Sequence, residues 1–285
     1  MSIYLLRRAA DRASTAALYG CMALSAAVLG LILAFLAYRG VGAISWEFIS
    51  DHPRAGMTEG GIVTPIAGTV QLILVSMAFA FPVGVTTAVY FNEYSRGGAL
   101  TKALRLAVRS LASVPSVVLG LFGLAFFCVF LRFGASLLSA GLTLGCLALP
   151  TLITASETAL QNVPREFRDA SYALGGTRWQ TIYKVVLPSA FPGIITGGIL
   201  CVGRVAGETA PIMFTGAVFF APGFARSIFD SVMALPYHIY VLATAGTRID
   251  KTEPLQYGTI LVLLALVLGI SMVGIVARAR LRKRL

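Results

Sequence analysis

Runs of about twenty apolar residues recur along this chain of 285 residues. That is the length at which a helix crosses the hydrocarbon core of a bilayer. In lipid, every backbone N–H and C=O has to be bonded internally, so the runs predict helices. The expected fold is all-α: a polytopic membrane protein of six transmembrane helices. With 57% hydrophobic and 12% charged residues, the chain is not a water-soluble domain.

The first run, residues 16–37, lacks a small-residue cleavage site and exceeds a signal h-region, so it is expected to remain as a span. Residues 62–91 are too long for an upright span and contain Pro65 and Pro82, which predicts a tilted or kinked helix. The third span is read at 111–131, with Pro115 near its start, and the fourth at 135–155, with Pro150. The fifth is read at 189–220 and the sixth at 257–276. Residues 38–61 are polar and turn-rich. The mixed stretch 221–256 suggests an interfacial helix near 227–241, with Ile228, Val232, Leu235 and Ile239 close to helical spacing, although Pro236 stands against it. No domain boundary is visible, so 1–285 reads as a single membrane domain.

A net charge of +11 would suggest nucleic acid in a soluble protein. Its distribution suggests topology instead. With the N-terminus inside, sixteen cations fall on that side, in 1–15, 92–110, 164–188 and the tail ARARLRKRL. Six fall outside: Arg39, Arg54, Arg132, Arg226, Arg248 and Lys251. The positive-inside rule puts both termini and the 164–188 segment in the cytoplasm. Cys21, Cys128, Cys146 and Cys201 all sit in apolar runs without zinc or disulfide spacing, and read as small apolar fillers.

Residues 164–188, PREFRDASYALGGTRWQTIYKVVLP, are the longest segment with a soluble character. Phe167, Ala170, Ser171 and Leu174 fall on one helical face. Gly175 and Gly176 stop that helix. Thr177 with Gln180 is a capping-box pattern for a second one, with Trp179, Ile182, Tyr183 and Val186 at the same spacing. Leu187-Pro188 is expected to end it. Arg165, Arg168, Arg178 and Lys184 lie outside the apolar faces.

This segment resembles the cytoplasmic coupling loop of ABC-importer permeases. That pattern is Glu-Ala-Ala, three residues, Gly, nine residues, Ile, one residue, Leu-Pro. Here Asp169, Ala170 and Ser171 take the first places, Gly175 the Gly place, Val185 the Ile place, followed by Leu187 and Pro188. Asp for Glu and Ser for Ala are the departures. The resemblance implies that this loop enters a cleft on a separate ATPase subunit.

The fifth run contains VGRVAGETAP. Arg204 and Glu208 are four apart and able to pair on one helix face. A central arginine costs about 2.5–3.5 kcal/mol on insertion scales, so such residues face the bundle interior or a water-filled path. A self-neutralised pair would lock the span. A transport role would use the planar donor fork of arginine, which suits a tetrahedral oxyanion, with glutamate orienting it, accepting a proton from a partly protonated anion, or keeping anions from being held too tightly. Gly193, Gly197, Gly203 and Gly207 form two G-x-x-x-G spacings that permit close helix approach. Pro211 is expected to kink the helix.

R-V-A-G-E-T-A-P followed by I-M-F-T is similar to the signature of the permeases of phosphate-specific ABC importers. That resemblance implies an inner-membrane heterodimer with a sister permease, two cytoplasmic ATPase subunits and a periplasmic phosphate-binding protein. It carries the transport role onto Arg204 and Glu208. ATP and magnesium would be bound by the partner ATPase, since this chain has no G-x-x-x-x-G-K-[ST] loop and needs no cofactor of its own. There is no H-E-x-x-H, and His52 and His238, in outer segments, are assigned no role. Glu157, near the inner end of the fourth span, can cap a helix or pair with a basic residue, and reads as a solvated end in preference to a proton relay. A permease for another oxyanion stays open, as does a proton-coupled secondary transporter, which would leave the loop unexplained.

Overall fold

The computed structural model describes the chain apart from residues 1, 55–56, 58, 96, 222, 246–248 and 283–285; for 2–6, 8–10, 249–251 and 282 it describes the backbone alone. Of the cations weighed above, Arg96, Arg248, Lys283 and Arg284 lie outside the described residues, as do the side chains of Arg8, Lys251 and Arg282.

Five helical stretches are long and apolar enough to cross a membrane, and a bent pair makes a sixth. They are built on α1 (Ser2–Gly40), α3 (Val63–Val89), α6 (Leu137–Gln161), α9 (Leu187–Gly207) and α12 (Ile249–Arg282). A short α2 (Trp46–Ser50) and a two-residue antiparallel pair, β1 (Pro53–Arg54) with β2 (Glu59–Gly60), link α1 to α3. The helix of α1 runs well past both ends of the expected span. It lies largely exposed and leans mainly on α12: Phe35 meets Tyr257 edge-on at 5.8 Å, and Arg39 pairs with Glu253 at 3.4 Å.

The core lies between α3, α6 and α9. Leu72, Ala80, Leu144, Leu152 and Cys201 are buried together there. Small residues set the approach of α9 to α6. A Cβ on Gly193 would sit 2.6 Å from that of Ala159, and one on Gly197 equally close to that of Ala155. The first G-x-x-x-G is therefore a packing seam. The second is not: Gly207 has open space around it, and Gly203 meets only Val267 at 3.9 Å.

The third span departs from expectation. α4 (Ala99–Ser113) and α5 (Ser116–Gly123), which continues as a wide turn to Phe130, meet at 106°. The span therefore starts at Ser116 rather than 111. Val114 precedes Pro115, and the proline ring pushes the preceding residue out of the helical region; Val114 has φ −69°, ψ 128°.

The fifth span also departs. α9 ends at Gly207, because Glu208 is extended at φ −77°, ψ 125°. A six-residue α10 (Ala210–Thr215) follows, with Pro211 in its first turn. Pro211 therefore starts a helix after a full break, where a kink was expected. The described residues between 216 and 234 are irregular, tied by a bridge between Ala217 and Val232. The outer helix, α11 (Leu235–Thr244), begins eight residues later than the sequence suggested, since Pro236 fits only its first turn.

Candidate functional site

The 164–188 segment forms a hairpin of two helices at one end of the bundle. α7 (Arg165–Ala173) buries none of its residues. Gly175, at φ +79°, supplies the left-handed turn, and its N–H bonds Tyr172 O at 2.9 Å. Thr177 then caps α8 (Arg178–Thr181) reciprocally: Gln180 N–H donates to Thr177 Oγ1 at 3.3 Å, and Thr177 N–H to Gln180 Oε1 at 2.9 Å. Ser171, one of the departures from the coupling-loop pattern, shares a 2.8 Å hydrogen bond with the Thr181 hydroxyl and so ties the two helices together.

Pro188 does not end the second helix. The chain stays helical from Arg178 to Gly207. A wide turn over Ile182–Val186, with Leu187 N–H reaching back to Ile182 O, resets the register. Pro188 falls directly after that wide turn, where the altered hydrogen-bond register accommodates a residue without an N–H. Ser189 Oγ donates to Val185 O at 2.7 Å, satisfying a carbonyl there.

The apolar faces divide. Ile182 and Val186 are buried. Phe167, Leu174, Trp179 and Tyr183 stay exposed, Leu174 at 90%. Phe167, Ala170, Leu174 and Val185 line an open cleft on the hairpin. Asp169 is exposed, beside a polar cavity that also holds Asn92, Glu93 and Arg168.

Arg168, which the sequence places only outside the apolar faces, is engaged with three acceptors. Its Nη2 meets Glu93 Oε1 at 2.8 Å and Leu160 O at 3.1 Å, while Nη1 donates to Val163 O at 2.9 Å. Glu93 lies in the wide turn that ends the α3 helix. A second pair joins Arg105 of α4 to Glu157 of α6, so of the roles open to Glu157 it takes the pairing with a basic residue and not the solvated end. Neither pairing is visible in local sequence, because the partners are 75 and 52 residues apart.

At the far end of α9, Arg204 Nε lies 3.6 Å from Glu208 Oε1, with side chains 43% and 20% exposed. The pair forms as expected, but its place differs. Seventeen residues separate Leu187 from Arg204, about 25 Å of helix, so Arg204 sits in the last turn of the span and not at mid-depth. A cation there complements the helix dipole. Because 3.6 Å is beyond a good hydrogen bond, and no described residue hydrogen-bonds the guanidinium, its fork is open to an anion. His238, in an outer segment, is buried, at only 4% exposed. Burial lowers its pKa to about 4. His52 bonds Thr64 Oγ1 at 2.7 Å.

A model of the family described as "Binding-protein-dependent transport system inner membrane component" matches residues 80–285. The chain belongs to that family. The permease is 31% identical to the probable ABC transporter permease protein YqgI of Bacillus subtilis (strain 168), over 93% of this chain and 94% of that protein. It is 34% identical to the phosphate transport system permease protein PstA of Mycobacterium leprae (strain TN), over 95% and 90%. Its fold matches a subunit of the inward-facing MetNI methionine ABC transporter with a TM-score of 0.62 at 21% identity, covering 77% of this chain and 95% of that one. The permease is thus a multi-pass inner-membrane protein and a non-catalytic component of an ABC importer, which removes the secondary-transporter alternative.

Proposed function

We propose that this permease is one membrane half of an ATP-driven importer for inorganic phosphate. Its partners are a sister permease, two ATPase subunits that bind ATP and magnesium, and a periplasmic phosphate-binding protein. The hairpin at 164–188 lies in the cytoplasm with both termini, and 1–285 acts as one permease domain. Asp169, Ala170, Ser171, Gly175, Val185, Leu187 and Pro188 form the ATPase contact and its scaffold. The exposed apolar face of α7, which no described residue buries, supports that role. A buried arginine clamp behind it would carry ATPase motion into α3 and α6.

The observation that carries the substrate reading is Arg204. Its guanidinium ends a membrane helix, touches Glu208 only through Nε and makes no hydrogen bond with a described residue, and Glu208 stands close enough to weaken anion capture without closing the fork. A route must bind favourably and still release. Several relatives named as phosphate permeases support the choice of phosphate. A second reading, another oxyanion such as sulfate, draws on the same fork and on the YqgI relative, whose name carries no substrate.

The deciding experiment reconstitutes the complete complex and compares ATP turnover with phosphate-loaded and sulfate-loaded binding protein. Stimulation by the phosphate-loaded form alone is expected. Equal or reversed stimulation would overturn the assignment.

A further inference from the structure

An apolar cleft of about 410 Å³ opens at the hairpin end of the bundle, between the end of α3 and the start of the fifth span. Val85, Val89 and Tyr90 form one wall, and Trp179, Tyr183 and Leu187 the other. Trp179 and Tyr183 stack with ring centroids 6.2 Å apart, both largely exposed. Tyr94 completes the rim, and the Arg178 guanidinium sits 4.8 Å from its ring centroid. Among the described residues no carboxylate pairs with Arg178.

Two features put this cleft at the membrane boundary. It lies where one spanning helix ends, at Tyr94, and another begins. The second feature is α4. It carries Lys102, Arg105 and Arg109 with no acidic residue, exposes Leu100 and Leu104 on its apolar side, and turns 106° away from the α5 span. A basic amphipathic helix so turned lies in the interface plane. Arg105 fixes it to the same turn that lines the cleft, donating to Phe91 O at 3.2 Å with its guanidinium 4.9 Å from the Phe91 ring centroid.

Tyrosine and tryptophan gather at that level because their rings are apolar and their tips are wet. An apolar cleft there gains by taking hydrocarbon instead of water. The cation at its mouth adds attraction for a negative headgroup. We propose that the cleft binds one anionic glycerophospholipid, its acyl chain between Val89 and Tyr183 and its headgroup at Arg178. The bound chain would brace α8 against the end of α3. The proposal rests on membrane insertion and is independent of the transported ion.

The test uses the intact importer complex in phosphatidylcholine vesicles containing phosphatidylglycerol with a photoactivatable diazirine on one acyl chain. Adducts are mapped by peptide mass spectrometry. They are expected in 85–94 and 178–187, several-fold above those from diazirine-labelled phosphatidylcholine at the same fraction. Arg178→Gln should erase that headgroup preference, and Thr86→Trp, which fills the cleft from the α3 wall, should remove the adducts. Thr86 is exposed, so this variant keeps the test open should Arg178→Gln fail to assemble. Labelling of other surfaces with none at the cleft would overturn the proposal. So would equal labelling by the two lipids, or protein crosslinks from a photoreactive residue at 183 that show another subunit filling the cleft.

Discussion

Arg168 holds Glu93 at 2.8 Å from 75 residues away, with the two side chains only 15% and 7% exposed. The same guanidinium donates to Leu160 O and Val163 O. One side chain thus binds α7 to the ends of both α3 and α6. Removing one partner of a buried pair leaves the other charge uncompensated, at a cost of about 3–5 kcal/mol. Arg168→Ala should lower the melting temperature of the purified complex and reduce the ions imported per ATP hydrolysed. Arg168→Lys should recover part of the stability and less of the coupling, because an ammonium lacks the fork that serves three acceptors. Unchanged melting and coupling in Arg168→Ala would rule out the clamp.

Gly175 carries the second prediction. At φ +79° an L-residue is strained, and proline, fixed near −65°, cannot adopt the turn. Gly175→Ala is expected to cost about 1 kcal/mol. Gly175→Pro should break the hairpin and abolish stimulated ATP hydrolysis in the reconstituted complex. Full stimulation in the proline variant would show that the hairpin is not the ATPase contact.

These two positions differ in how far the sequence revealed them. Gly175 was legible because a left-handed turn and the Thr177 cap are local chemistry, complete within a few residues. The spans were legible from the length of their apolar runs. Arg168 was not, since its helical position marks it only as off the apolar face, and Glu93 lies on another element. Local rules also failed where tertiary packing outweighed them. Pro188 should have stopped a helix, yet the chain stays helical through it because the wide turn at 182–186 changes the hydrogen-bond register just before it. The Arg204–Glu208 spacing was read as helical, and the pair does form, but across a helix end that no residue type announced.

The two glycine motifs give a paired prediction. A Cβ on Gly197 would lie 2.6 Å from that of Ala155, and both atoms are fixed to backbone. Gly197→Ala must push α9 from α6, at a cost of about 1–3 kcal/mol for overpacking. Gly207 has nothing within 4 Å, so Gly207→Ala should change stability by no more than about 0.5 kcal/mol. Thermal unfolding of the two variants in one detergent compares them directly; equal effects would contradict the seam.

His238 predicts a pH response. Burial lowers its folded-state pKa from 6.5 to about 4. Above pH 6.5 both folded and unfolded forms are neutral there, and the contribution to stability is complete. As pH falls from 6.5 toward 4, the unfolded chain takes a proton that the folded chain refuses. Stability should drop by up to about 1.4 kcal/mol per pH unit from this group. His238→Gln should shrink the difference in melting temperature between pH 7 and pH 5. An identical difference in the variant would remove His238 as its source.

Arg204 carries the last prediction and the largest functional effect. Its guanidinium approaches Glu208 through Nε at 3.6 Å, and the rest of the fork makes no hydrogen bond with a described residue. If the pair served only to lock the end of α9, neutralising both partners together would be tolerated, and neither alone would abolish transport selectively. If the fork receives the anion, Arg204→Gln removes the donors and the charge that offset dehydration of the ion. Phosphate uptake by vesicles containing the complete importer should then vanish while the subunits still copurify. Arg204→Lys, a point charge without a planar fork, should keep partial uptake with weaker discrimination between oxyanions. Glu208→Gln should slow release and not abolish entry. Normal uptake in Arg204→Gln would reduce the pair to a helix-end ornament of packing and leave the anion route elsewhere in the permease.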